Sequence, residues 1–125
     1  HLSLRRQRQM CIRDRFLIVD YKSNMLARPG VAYPYGYESM RAEMEAAGYP
    51  LQALLYCVAT HRFLKSRLAG YNPEAHLGGC GYLFMRGMIG ADTQVRNGVT
   101  DGVFTWRPST ELVLTVDDLL GGTNG

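Results

Sequence analysis

Phe16–Asn24, FLIVDYKSN, decides how the rest of the chain is read. Phe16, Leu17, Ile18 and Val19 form a continuous apolar run, long enough for a strand buried on both faces and too short to require a helix. Asp20 ends that run, and the buried strand is expected to end there. In an extended strand, residues two apart point to the same side, so Asp20 and Lys22 would present a carboxylate and an ammonium next to each other. Magnesium takes oxygen ligands, and a neighbouring lysine can orient a water or offset the charge that builds on a phosphate under attack. The pattern suits phosphodiester hydrolysis, yet the triplet alone is weak. D-x-K is expected about 0.3 times by chance in a chain this long, and its bland reading is a strand-end ion pair exposed to water, contributing at most about 1 kcal/mol.

Downstream, Pro29, Gly30, Pro34 and Gly36 alternate with Tyr33, Tyr35 and Tyr37, which reads as an ordered loop. A first helix is expected over Glu38 to Ala47, with Gly48 as its stop and Pro50 in the first turn of the next. From Leu51 the apolar positions Leu51, Leu54, Leu55, Val58, Ala59 and Leu68 broadly follow the spacing of an amphipathic helix. Full burial of the large aliphatic residues at 51, 54, 55 and 58 would contribute about 6 to 12 kcal/mol before entropy is subtracted. The same helix carries Gln52 and Tyr56 four residues apart, hence on one face, where both could look toward the site of Asp20. The competing reading is an ordinary helix flank with Tyr56 half-buried and its hydroxyl wet.

A loop with Gly70, Asn72, Pro73, Gly78 and Gly79 then leads to a second buried strand, Tyr82 to Met85, ending near Arg86 and Gly87. Val103 to Trp106 reads as an edge strand. Pro108 and Ser109 open a last helix through Leu120, with Ser109 or Thr110 as its cap. Strand, helix, helix, strand, strand, helix is the order of an α/β domain.

Upstream the signals differ. HLSLRRQRQMCIRDR has no helical or strand periodicity that continues into Phe16. It resembles translated sequencing-adapter read-through, so residues 1–15 are expected to be a non-native prefix in which Cys11 and the arginines have no function; a basic arm for nucleic acid is the alternative. The formal charge of +3 supports this division. Residues 1–15 hold five arginines against Asp14, a net +4, while the rest carries nine basic and ten acidic side chains, a net −1. Global charge is therefore no evidence for DNA binding. The 125 residues suffice for one modest domain and exclude a helicase motor in the same stretch. Cys11, Cys57 and Cys80 are too few and too scattered for a disulfide framework or a four-cysteine cluster. No apolar run reaches the roughly 20 residues of a membrane span, and a cytoplasmic protein is expected.

VDYKSN, the block YPLQALLYCVATHRFLKSRLAGYNPEAHLGGCGYLFMRGM, and RPSTELV with a terminal LLGG together resemble the C-terminal nuclease domain of the RecB family of helicase-nucleases. The likeness covers most of residues 16–125. It implies the restriction-endonuclease-like PD-(D/E)XK fold, lacking its N-terminal part. By that resemblance Asp20 matches the second metal-binding acid, Lys22 the catalytic lysine, and Gln52 with Tyr56 the supporting motif, while Tyr21 offers its backbone carbonyl to the metal. The implied cofactor is Mg2+, with ATP used only by the helicase part. The family's other metal-binding aspartate and a histidine lie upstream of VDYK and have no credible counterpart. Asp14, the one acid before Asp20, sits in the suspect prefix, and His61 and His76 are downstream, where surface or loop roles are expected for both.

The resemblance further implies a parent enzyme, a magnesium-dependent exodeoxyribonuclease that processes double-strand DNA ends for recombinational repair, of which these residues alone would be inactive. Its partners would be single-stranded DNA, RecC- and RecD-like subunits and a RecA-like recombinase. The alternative is a docking domain without catalysis, using the helix flank at Arg62, Lys65 and Arg67.

Overall fold

The computed structural model describes residues 7–12 and 14–121. Gln7–Ile12 forms β1 and Arg15–Lys22 forms β2, paired antiparallel from Gln7 opposite Asp20 to Ile12 opposite Arg15. The first fifteen residues show no strand periodicity, yet six of them pair with β2. Edge pairing is made by backbone amides and carbonyls, which any non-proline sequence carries. Residues 1–6 and 13 of that stretch lie outside the described residues.

Helix α1 spans Tyr37–Ala46 and buries Met40 and Met44. Gly48, at φ +74, turns the chain into α2, Tyr49–Arg67, with Pro50 in its first turn. The left-handed backbone at Gly48 and the missing amide of Pro50 make this junction sharp. A single turn, α3, covers Pro73–His76, and β3 runs from Leu77 to Phe84. Two short 3-10 turns and the two-residue strands β4, Val95–Arg96, and β5, Val99–Thr100, precede β6, Val103–Trp106. Helix α4, Thr110–Gly121, closes the described chain, and the Ser109 hydroxyl accepts a hydrogen bond from the Leu112 amide at 3.1 Å, as a cap should.

The main sheet has the order β1-β2-β3-β6, with β2 and β3 parallel and both outer pairs antiparallel. Ile18 lies opposite Cys80, Asp20 opposite Tyr82, and Lys22 opposite Phe84. These side chains share the face on which the helices pack, and the core there includes Ile18, Met40, Met44, Ala53, Cys57, Val58, Cys80, Tyr82, Phe84, Phe104 and Val113. Among the described residues no helix is long and apolar enough to cross a membrane.

Three expectations need correction. The strand does not stop at Asp20 but continues through Lys22, because both charged side chains are taken into the core beside each other. The second buried strand begins at Leu77, through glycines that read as a loop. Those glycines mark close approach: a Cβ on Gly78 would lie 2.6 Å from Leu17 Cδ2, and Gly79, at φ +93, would bring one to 2.6 Å from the Trp106 carbonyl oxygen. The register slips there, Phe16 pairing with Leu77 and Leu17 with Gly79, so a bulge rather than a loop accounts for the glycines.

The third correction concerns the face of α2. Leu51 and Leu55 are exposed, Leu54 is half-buried, and only Val58 of the expected four is buried. The inward face is Ala53, Cys57, Val58, Thr60, His61 and Leu64. Small residues let the helix lie close to β3: Cys57 Sγ is 3.6 Å from Cys80 Sγ, and Cys80 Sγ is 3.5 Å from the Ala53 carbonyl oxygen. Contact with Cys57 and burial together push the Cys80 thiol far above the ordinary thiol range.

Candidate functional site

Asp20 and Lys22 are only 3 % and 5 % exposed, and Lys22 Nζ lies 3.0 Å from Asp20 Oδ2. The exposed strand-end ion pair of the bland reading is therefore not what the chain builds. Taking two charges out of water is expensive, and their attraction offsets that cost only with good geometry and further partners for the remaining polar atoms. Asp20 Oδ1 has no such partner.

The residues that follow the pair are tied to the surrounding elements. Arg86 Nε donates to the Ser23 carbonyl at 2.8 Å, Asn24 Nδ2 donates to Glu43 at 2.7 Å, and the Tyr35 hydroxyl donates to the Asn24 carbonyl at 3.1 Å. Ser23 and Asn24 are thus held by α1, by the loop before it and by the 3-10 turn after β3. Helix α2 contributes Tyr49, Gln52 and Tyr56, at i, i+3 and i+7, on one face. Tyr49 lies under the lysine, with Nζ 3.8 Å from its ring centroid, and stacks on Tyr82 at 5.9 Å between centroids.

Among the described residues, four buried side-chain polar atoms lack a hydrogen-bond partner: Asp20 Oδ1, Gln52 Oε1, Tyr56 Oη and Tyr82 Oη. Each costs about 1–3 kcal/mol when left unmet. Tyr82 lies opposite Asp20 in the β2–β3 register, and its interaction with Asp20 and Tyr56 is felt in its own acidity; Gln52 lies one turn before Tyr56 on α2. Burial first, then Cys80, then Asp20 and Tyr56, push the Tyr82 phenol far above its ordinary value, so it stays protonated and able to donate. Gln52 and Tyr56, which the resemblance singles out, are on the Tyr49 side of α2. Tyr49 and Tyr82 were missed; only the repeat of tyrosines at both ends of the long middle block hinted at them.

Other expected residues fall elsewhere. Tyr21 is 40 % exposed, on the opposite face of β2 from Asp20. Asp14, at φ +66, sits in the turn between β1 and β2, at the end of the pair remote from Asp20. His76 is half-buried in α3, where Nδ1 accepts from the Asn72 amide at 2.9 Å. His61 is the exception to its expected surface role. It is 3 % exposed, its Nδ1 is 2.7 Å from the Tyr71 hydroxyl, and its Nε2 is 3.8 Å from Asp117 Oδ2. It sits on the inward side of α2, where the amphipathic pattern placed aliphatic residues. Among the described residues no three His, Cys, Asp or Glu side chains gather as a metal cluster.

A mixed sheet carrying a buried acid–lysine pair in an inner strand, faced by a helix with a polar stripe, defines an α/β domain with a polar site at its sheet–helix junction. Known proteins give that class a name. The chain is 53% identical over 107 residues to RecBCD enzyme subunit RecB of Mycobacterium tuberculosis, a match covering 86% of this chain and 10% of that protein. It is 49% identical over 110 residues to the Mycolicibacterium smegmatis RecB subunit, covering 86% of this chain and 10% of that protein. With the Escherichia coli RecB subunit it shares 39% identity over 108 residues, covering 86% of this chain and 8% of that protein. No family model matches. The chain is a RecB-like segment, and it spans about a tenth of the length of the curated relatives it matches.

Proposed function

We propose that these residues form part of a metal-dependent nuclease site, of the PD-(D/E)XK type, in a RecB-like subunit that processes DNA ends in the cytoplasm. The observation that carries the reading is the buried Asp20–Lys22 pair with one carboxylate oxygen unpartnered, in a domain that also leaves buried polar atoms of Gln52, Tyr56 and Tyr82 unpartnered. Unmet polar atoms in a core call for a partner, whether an ordered water, an ion or a further polar group. A hard carboxylate oxygen fits magnesium, so Asp20 Oδ1 and the backbone carbonyl of Tyr21 would hold the ion. One carboxylate is a fraction of an octahedral shell, and the upstream acid and histidine implied by the resemblance would supply more of it in a full-length protein. Once bound, the ion would supply Lewis acidity toward a phosphate.

Each residue of this chain has a separate task. Asp20 Oδ2 fixes the ammonium of Lys22, which orients a water or offsets charge on the phosphate. Gln52 and Tyr56 offer an amide and a hydroxyl from α2. To test the reading, residues 16–121 are grafted in place of the matching stretch of a full-length relative, and magnesium-dependent cleavage of single-stranded DNA is measured. Asp20→Ala should lower the cleavage rate about 100-fold or more. Undiminished cleavage would sink the assignment.

Docking of partner subunits along Arg62, Lys65 and Arg67 has less support. Arg62 is bound to Asp117 through Nε and donates to its carbonyl at 3.1 Å, and the Arg67 guanidinium lies 4.9 Å from the Phe63 ring centroid. Both are engaged within the chain.

A further inference from the structure

We infer that Tyr49 is a positioning residue for Lys22, a role that rests on the reading of Asp20 and Lys22 as reacting groups. A lysine ends in a flexible four-carbon stem with many rotamers, and a single ammonium position must be imposed by its surroundings. Here Nζ is 3.0 Å from Asp20 Oδ2, 3.8 Å from the Tyr49 ring centroid and 5.4 Å from that of Tyr82. An aromatic face attracts a cation through its quadrupole, and more strongly where water is excluded. The ammonium is therefore held between a carboxylate and a ring face.

Tyr49 is itself fixed from several directions. Its ring stacks on Tyr82 at an interplanar angle of 8°, and its hydroxyl accepts from Asn24 Nδ2 at 3.5 Å. It is the first residue of α2, between the left-handed Gly48 and Pro50. A helix start so constrained, with its first side chain pinned against β3 and against the loop after β2, gives the ring little freedom. Lys22 inherits that rigidity. Tyr49 fills volume and attracts the cation, and the two effects are separable: Phe keeps both, whereas Leu keeps only the first.

The test has two readouts. Lys22 and Lys65 are the only lysines of the chain, so Lys65, on the exposed side of α2, is an internal reference. In NMR spectra of the 125-residue chain, ring current should move the Lys22 ε-methylene protons upfield of those of Lys65. The shift should survive Tyr49→Phe and fall in Tyr49→Leu to the smaller contribution of the Tyr82 ring. In the grafted full-length relative, Tyr49→Leu should lower kcat about ten-fold with KM changed by less than about two-fold, and Tyr49→Phe should rescue kcat. Tyr49→Met, which keeps length without a ring face, repeats the test if leucine disturbs the helix.

Coincident Lys22 and Lys65 resonances in the unmodified chain would overturn the inference. So would a loss of ring shift with unimpaired kcat, or a failure of Phe to rescue. Cleavage that survives Asp20→Ala would instead overturn the nuclease reading itself, a result that no Tyr49 variant can produce.

Discussion

Two buried polar clusters lie along α2, and they are completed differently. Toward the C-terminal half, His61 meets Tyr71 at 2.7 Å, Asp117 stands 3.8 Å from its other nitrogen, and Arg62 binds Asp117 from outside. None of these side chains is left with an unmet buried atom. Toward the N-terminal half, Asp20, Gln52, Tyr56 and Tyr82 each keep one. The first cluster ties α4 and the loop after α2 to the helix and needs nothing more. The second leaves four buried polar atoms for further partners to meet. Both contain buried titratable groups, so burial and charge alone do not distinguish them; the hydrogen-bond partners do.

The comparison can be broken most forcefully at Lys22. Lys22→Met leaves the Asp20 carboxylate buried without its cation and should destabilise the 125-residue chain by about 3–5 kcal/mol in urea unfolding. A loss below about 1 kcal/mol would mean that the pair is solvated after all.

The same conservative change in each cluster sharpens the contrast. Tyr71→Phe removes the partner of a buried imidazole nitrogen and should cost about 1–3 kcal/mol. Tyr82→Phe removes a hydroxyl that has no partner and keeps the stacking on Tyr49, so stability should be unchanged or raised. Equal losses from both would erase the distinction.

A smaller effect is expected from pH. Burial lowers the His61 pKa, against a raising influence from Asp117 and with further lowering from Lys65 and Arg62. The unfolded chain then binds the proton more readily than the folded one. Stability from this group is complete above the ordinary imidazole value of about 6.5 and falls as pH drops below it toward the folded value. Chemical denaturation of the chain from pH 7.5 to 5 should show the decline, and His61→Gln should flatten it. Tyr71, pushed up to about 12 by burial and Asp117, stays protonated throughout. The smallest effect belongs to Lys65→Glu, on the exposed side, at within about 0.5 kcal/mol.

How much of this could be read beforehand depended on what each residue type signals. The apolar run 16–19, the break at Gly48–Pro50, the edge strand 103–106 and the Ser109 cap were legible because their cues are local. The start of β3 was not, since glycine marks a loop and a close strand contact alike, and only the neighbours Leu17 and Trp106 decide. The inward face of α2 was misread because periodicity weighs bulk, whereas Ala53 and Cys57 were the residues that allowed close packing on Cys80. Asp20, Lys22, Gln52 and Tyr56 were picked through the triplet and its resemblance. Tyr49 and Tyr82 went unseen because their contacts join residues 27 to 60 positions apart in sequence.

The central claim is that the unpartnered cluster is kept for chemistry and not for stability. It is tested most directly by neutralising the pair in one step, Asp20→Asn with Lys22→Met, in both the isolated chain and the grafted full-length relative. Neutral, similarly shaped replacements for a buried ion pair are often neutral or stabilising by about 1–4 kcal/mol. The unfolding midpoint should be unchanged or raised, and magnesium-dependent cleavage reduced to background. Retained cleavage with a lowered midpoint would contradict the claim.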